Sequence, residues 1–166
     1  MFPDDILTQA QAVCDAAGRA GLMVAVAESC TGGLVAAALT ALPGSSTMLD
    51  RGFVTYSNAA KSDLLQVPSV LIEQNGAVSE PVARAMADGA VNQSLADVSV
   101  SVTGIAGPGG SEHKPAGRVW FASQGPLGLI SLKHEFGDIG RTEVRLASVR
   151  VALDLLKAQL AGRDDG

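Results

Sequence analysis

Apolar residues recur at helical spacing from Asp4 to Ala20, where Ile6, Leu7, Ala10, Val13, Cys14 and Ala17 fall together and Gly18 and Gly21 act as stops. That spacing predicts an amphipathic first helix. Leu22 to Ala27 (LMVAVA) is apolar without alternation, which suits a strand buried on both faces, and GGLVAAALTAL then reads as a helix ended by Pro43-Gly44. RGFVTYS alternates like a strand, and Asn58 is placed to cap a short helix, AAKSDLLQV, with Lys61 in its first turn. Ser79 caps a further helix with Pro81 in its first turn and Val82, Met86, Ala90 and Val91 on its inner face. ADVSVSVTG then alternates into a central strand, and IAGPGGSEHKPAG is too rich in Gly and Pro to be anything but a loop. RVWFAS and LISLKHEF form a β-hairpin across Gly125-Pro126, and a last helix runs from about Arg141 to Leu160.

Strands alternating with helices imply the α/β class. The expected fold is a single-domain three-layer α/β/α sandwich with a mostly parallel mixed sheet, over residues 1–161, followed by a disordered tail at 162–166. The chain's 166 residues, 47% of them hydrophobic, suffice for one sizeable core and leave no room for a second independent domain. A net charge of -5 and the lack of any basic run exclude a dedicated nucleic-acid surface. The N-terminus has neither a basic segment nor an apolar core, and no window approaches the ~20 apolar residues that span a bilayer. A cytoplasmic protein with no membrane partner is the expectation. Cys14 and Cys30 sit in different local patterns and suggest neither a disulfide framework nor a zinc site.

Three potential nucleophiles, Ser29, Cys30 and Thr31, stand in a row between a buried strand and the pair Gly32-Gly33. A serine at such a sharp strand-to-helix turn can present its hydroxyl at the sheet edge, and the helix N-terminus beyond it offers N–H groups for an oxyanion or a phosphate. Helix capping is the plain alternative. SCTGG is neither a Walker loop nor a GxSxG elbow. As bases, the two histidines fit poorly, since His113 lies in the Gly/Pro loop and His134 in an exposed strand beside Lys133 and Glu135. A lysine can serve if burial lowers its pKa, and Lys61 stands at a strand-to-helix turn after TYSNAA. SVTGIAGPGG repeats the strand-end design, so Gly104 and Gly107 can let backbone approach a ligand closely. Arg141 and Arg145 can clamp a phosphate, or form surface ion pairs with Glu143 and its neighbours.

Taken together, AESCTGGLVAAALTALPGSS, GFVTYSNAAKSDLL, GAVSEPVARAMADGA and SVTGIAGPGG…KPAGRVWFA resemble the CinA C-terminal-domain family, the nicotinamide-nucleotide amidases, from about Leu7 to Leu156. The resemblance implies hydrolysis of the carboxamide of nicotinamide mononucleotide to nicotinic acid mononucleotide and ammonia, a step in pyridine nucleotide recycling. It implies Ser29 as nucleophile, Lys61 as its general base, and Tyr56 and Thr103 as supporting groups. Substrate contacts are then expected from Cys30, Thr31, Gly32, Gly33, Gly104, Gly107 and either Arg141 or Arg145, with backbone N–H groups at 30–33 as the oxyanion hole. The loop GPGGSEHKPAG is shorter than in many members, and FGDIGRTEVR carries extra residues, which leaves the choice between the two arginines open. The chain is too short to hold the additional N-terminal domain of some members. The scheme requires no metal and no organic cofactor. A homodimer or larger assembly is the expected state. A nucleotide-binding or regulatory module without turnover is the alternative from a different class; a DNA-associated role is disfavoured by the charge.

Overall fold

The computed structural model describes residues 1–162, so the expected tail lies, apart from Gly162, outside the described residues. In chain order the elements are α1 (Asp4–Ala20), β1 (Val24–Glu28), α2 (Leu34–Thr40), β2 (Leu49–Val54), α3 (Asn58–Leu65), α4 (Ser69–Asn75), α5 (Glu80–Asn92), β3 (Val98–Gly104), β4 (Arg118–Gln124), β5 (Ile130–Glu135) and α6 (Arg141–Ala161), with a 3₁₀ turn at Ser45–Thr47. The sheet order is β2-β1-β3-β4-β5. β1 pairs in parallel with β2 and β3, and β4 and β5 add antiparallel. Helices α1, α2 and α6 pack on one face and α3, α4 and α5 on the other, which gives the α/β/α layering that the alternation implies. No helix among the described residues is long and apolar enough to cross a membrane.

The alternation in β3 differs from the usual one, because both of its faces are buried. Its valines, Val98, Val100 and Val102, enter the core beneath α1 and α6. Its hydroxyls face α5 instead: Ser99 donates to the Ala87 carbonyl at 2.6 Å and Ser101 to the Ala83 carbonyl at 2.6 Å. Each of those carbonyls already serves its helix, and a carbonyl oxygen has a second lone pair for such a donor. Thr103 continues the series one step further, donating to the Ala77 carbonyl at 2.9 Å in the segment before α5. Serine is the polar side chain short enough to bury between a strand and a helix with its hydrogen bond made.

Local expectations shift at the element ends. Ser57, not Asn58, caps α3, its hydroxyl accepting from the Ala60 N–H at 3.0 Å, and β2 stops at Val54 to leave room for that turn. Ser79 does stand at the start of α5, but its hydroxyl donates to the Gly76 carbonyl and makes no cap bond. Val91 is only half-buried. α4, a seven-residue helix carrying the buried Ile72, falls in a stretch to which the pattern assigns nothing. α2 is also shorter than its apolar run suggests, because Gly32 and Gly33 take left-handed conformations (φ +59° and +99°) in the turn that precedes it.

Gly89 marks the tightest approach of α5 to α3. A Cβ placed there would come within 2.1 Å of the Leu65 carbonyl oxygen. Gly→Ala in an exposed helix interior stabilises by ~1 kcal/mol. Here overpacking outweighs that gain. Gly89→Ala is expected to lower stability by about 2 kcal/mol, read as a reduced urea midpoint at an unchanged slope; a stabilised variant would refute the close-approach reading.

Candidate active site

β1 ends at Glu28, and Ser29 follows immediately, its N–H donating to the Val102 carbonyl of β3 at 2.9 Å. The Thr55 N–H donates to the Glu28 carbonyl at 2.8 Å, so the ends of β1, β2 and β3 are tied together. A cavity of about 320 Å³ opens at this edge. Its lining includes Ser29, Cys30, Tyr56, Asn58, Lys61, Ala77, Val78, Thr103, the segment from Gly104 to Gly109, and Arg141. It lies beyond the carboxyl ends of the parallel strands, where open α/β sheets place their ligands.

Lys61 enters from the first turn of α3 and is 1% exposed. Its Nζ stands 3.1 Å from Ser29 Oγ, 2.8 Å from the Thr55 carbonyl oxygen and 3.4 Å from that of Tyr56. Burial pulls its pKa below the ordinary lysine value of 10.5. Nζ is within donating distance of all three oxygens; in the neutral form of the amine two N–H groups meet the two carbonyls and the lone pair can accept from the Ser29 hydroxyl instead. Cys30 offers no competing nucleophile, because burial pushes its thiol up to about 11 and keeps it protonated at neutral pH.

The turn carrying Ser29 is held from two sides. Glu28, 1% exposed, accepts from the N–H groups of Gly33 at 3.1 Å, Val35 at 3.1 Å and Ala36 at 2.9 Å, so one side chain satisfies the first donors of α2. Gly32 N–H donates to the Ser29 carbonyl at 3.0 Å. The N–H groups of Cys30 and Thr31 donate to no protein acceptor among the described residues. Of the four amides proposed for an oxyanion, these two are free and those of Gly32 and Gly33 are engaged.

The remaining expected site residues divide in two. Tyr56, 61% exposed, stands at the rim and accepts from Arg141 Nη2 at 3.0 Å, while Arg141 Nη1 donates to the Gly107 carbonyl at 2.8 Å. Thr103, Gly104 and Gly107 line the cavity with them. Thr31, Gly32, Gly33 and Arg145 do not line it; Thr31 is fully buried with its hydroxyl unpaired, and Arg145 donates to the carbonyls of Cys30 and Thr31. His113 and His134 are exposed and lie outside the cavity. No cluster of three His, Cys, Asp or Glu side chains is placed to hold a metal among the described residues.

Glu28, Asn58 and Lys114 join the site without having been expected there from the sequence. A single acidic residue closing an otherwise apolar strand was the signal for Glu28. Lys114, whose Nζ donates to the carbonyls of Asn75 and Val78, fastens the glycine-rich loop to the cavity wall. Nothing in the local pattern of that loop marks it.

A family model, the CinA C-terminal domain, matches residues 7–160. The nicotinamide-nucleotide amidohydrolase PncC of Enterobacter agglomerans is 54% identical over 136 residues, 80% of this chain and 82% of that protein. A CinA-like protein of Synechococcus sp. (strain RCC307) is 55% identical over 139 residues, 82% of this chain. The chain spans about a third of the length of that relative and of several other CinA-like proteins it matches. Among solved structures, the competence/damage inducible protein CihA from Agrobacterium tumefaciens superposes with a TM-score of 0.92 at 50% identity, covering 96% of this chain and 98% of the other.

Proposed function

Because the chain belongs to the CinA C-terminal domain family, we propose that it is an amidohydrolase that converts nicotinamide mononucleotide to nicotinic acid mononucleotide and ammonia. The observation that carries this reading is the 3.1 Å approach of Lys61 Nζ to Ser29 Oγ inside the cavity. The naming of the Enterobacter agglomerans relative supports the substrate.

In this scheme Ser29 Oγ attacks the carboxamide carbon while neutral Lys61 takes the hydroxyl proton. The carbonyl oxygen becomes an oxyanion, for which the N–H groups of Cys30, on the cavity wall, and of Thr31, next in the turn, are the donors left without a protein acceptor. Protonated Lys61 then gives its proton to the departing nitrogen, and the C–N bond breaks to release ammonia and leave an acyl ester on Ser29. Water, deprotonated by Lys61, attacks that ester; the acyl C–Oγ bond breaks as Lys61 returns the proton to Ser29 Oγ, and the acid product leaves. In this reading Arg141, which lines the cavity beside Gly107, is the cation assigned to the 5'-phosphate.

Ammonia release from nicotinamide mononucleotide, with the riboside alongside, tests the reading. Turnover of the mononucleotide with a much higher KM for the riboside is expected; tight binding without ammonia would instead make the protein a nucleotide-binding module. The pH dependence has a defined sign. The working form of Lys61 is neutral, and burial lowers its pKa, so kcat/KM is expected to rise with pH along an acid limb whose midpoint lies below 10.5. A rate falling with pH over that limb would contradict a lysine base.

A further inference from the structure

Arg145 is four residues from Arg141 on α6, yet it meets the nucleophile turn while Arg141 meets Gly107 and Tyr56. Its Nε donates to the Cys30 carbonyl at 3.2 Å and its Nη2 to the Thr31 carbonyl at 3.1 Å. A Cβ on Gly32 would lie 3.3 Å from that Nη2, so the turn is bare where the guanidinium rests. Arg145 is half-buried and does not line the cavity.

Peptide planarity converts these two bonds into an orientation of the catalytic amides. In a trans peptide the C=O and the following N–H point in opposite directions. Fixing the Cys30 carbonyl on Arg145 therefore fixes the direction of the Thr31 N–H. Fixing the Thr31 carbonyl fixes the Gly32 N–H, which closes the turn on the Ser29 carbonyl at 3.0 Å. The Ser29 carbonyl so held fixes the Cys30 N–H in turn. Both free amides of the turn are thus aimed by one side chain, and a cation on the Cys30 carbonyl also polarises the Thr31 N–H toward greater donor strength.

We propose that Arg145 is a positioning residue for the oxyanion site, holding the Cys30 and Thr31 amides in place, and is not a ligand for the substrate phosphate. The proposal rests on the amidase reading. A planar five-donor guanidinium can hold two successive carbonyls at once, and a lysine ammonium cannot match that fork.

The test compares full-length wild type with Arg145→Gln, Arg145→Lys and Arg145→Ala. Expected is a fall in kcat of about 10²-fold, the size of losing one oxyanion donor, with KM within threefold of wild type. Arg141→Gln should show the reverse split, a raised KM. Guanidinium ion added to Arg145→Ala should restore part of the lost kcat, which a merely structural defect would not allow. Unchanged kcat, or a tenfold rise in KM at unchanged kcat, would overturn the proposal. So would loss of cooperative unfolding in both the Gln and Lys variants, which would make Arg145 a structural staple. Labelling of Ser29 by a fluorophosphonate, followed by intact mass, needs no amide substrate. A wild type that is labelled but releases no ammonia removes the amidase reading, and the slowed labelling expected of the variants still decides the role of Arg145. A wild type that does neither removes both.

Discussion

Ser29→Ala is expected to lower kcat for ammonia release by about 10⁴-fold or more, and Lys61→Ala by about 10³- to 10⁴-fold. The two effects should not add. With the hydroxyl gone there is no proton for Lys61 to accept, so the double variant should be no slower than Ser29→Ala alone. Lys61→Arg should fail like Lys61→Ala, because a guanidinium stays protonated and has no lone pair to accept the Ser29 proton. The measurement is steady-state ammonia release, with thermal unfolding of each variant as the control for folding. Retention of more than a tenth of kcat by Lys61→Ala would exclude Lys61 as the base. The two carbonyls on Lys61, at 2.8 and 3.4 Å, make the expectation specific: they leave the amine one remaining direction, and Ser29 occupies it.

The second large effect is on stability. Glu28→Ala should cost about 3–5 kcal/mol, because it strips a 1% exposed acceptor from three N–H donors at the start of α2 and leaves the buried Val35 N–H and two half-buried ones without it. Glu28→Gln should cost less, about 2 kcal/mol, since its amide keeps one acceptor oxygen but turns an NH₂ toward donors. Urea denaturation of both variants at neutral pH gives the comparison. An Ala variant within 0.5 kcal/mol of wild type would mean that water reaches the α2 terminus and that the side chain is dispensable. α2 has no side-chain cap of its own and only seven residues, too few to hold its first turn unaided, so its start depends on this one side chain.

Ser29 and Lys61 were legible as candidates because one directly follows a strand and the other stands just beyond one, where a glycine pair or a polar TYSN run breaks an apolar pattern. What brought them together was not legible. Lys61 is 32 residues beyond Ser29, and their approach depends on parallel pairing of β1 with β2, a register that local periodicity does not specify. Arg145 is harder still, since α6 returns to the turn 115 residues later in the chain. The pair of arginines looked equivalent because both lie early in one helix; four residues of spacing sent them to different partners. In β3 the alternation was visible and gave the right strand, but alternation alone does not tell a solvated polar face from one whose serine hydroxyls are received by a helix. The Ser57 cap was displaced from the neighbouring Asn58 by a single position, within the ordinary uncertainty of where a helix begins.

The chain has one tyrosine and one tryptophan, and they report on different places. Tyr56 stands at the cavity rim with its hydroxyl on Arg141, whereas Trp120 belongs to β4 and packs beside Ala83 and Ala87 of α5. The protein therefore carries two native optical labels. Ultraviolet difference spectra and emission can follow occupancy of the site through the phenol and integrity of the sheet through the indole, in the same sample and without any attached dye.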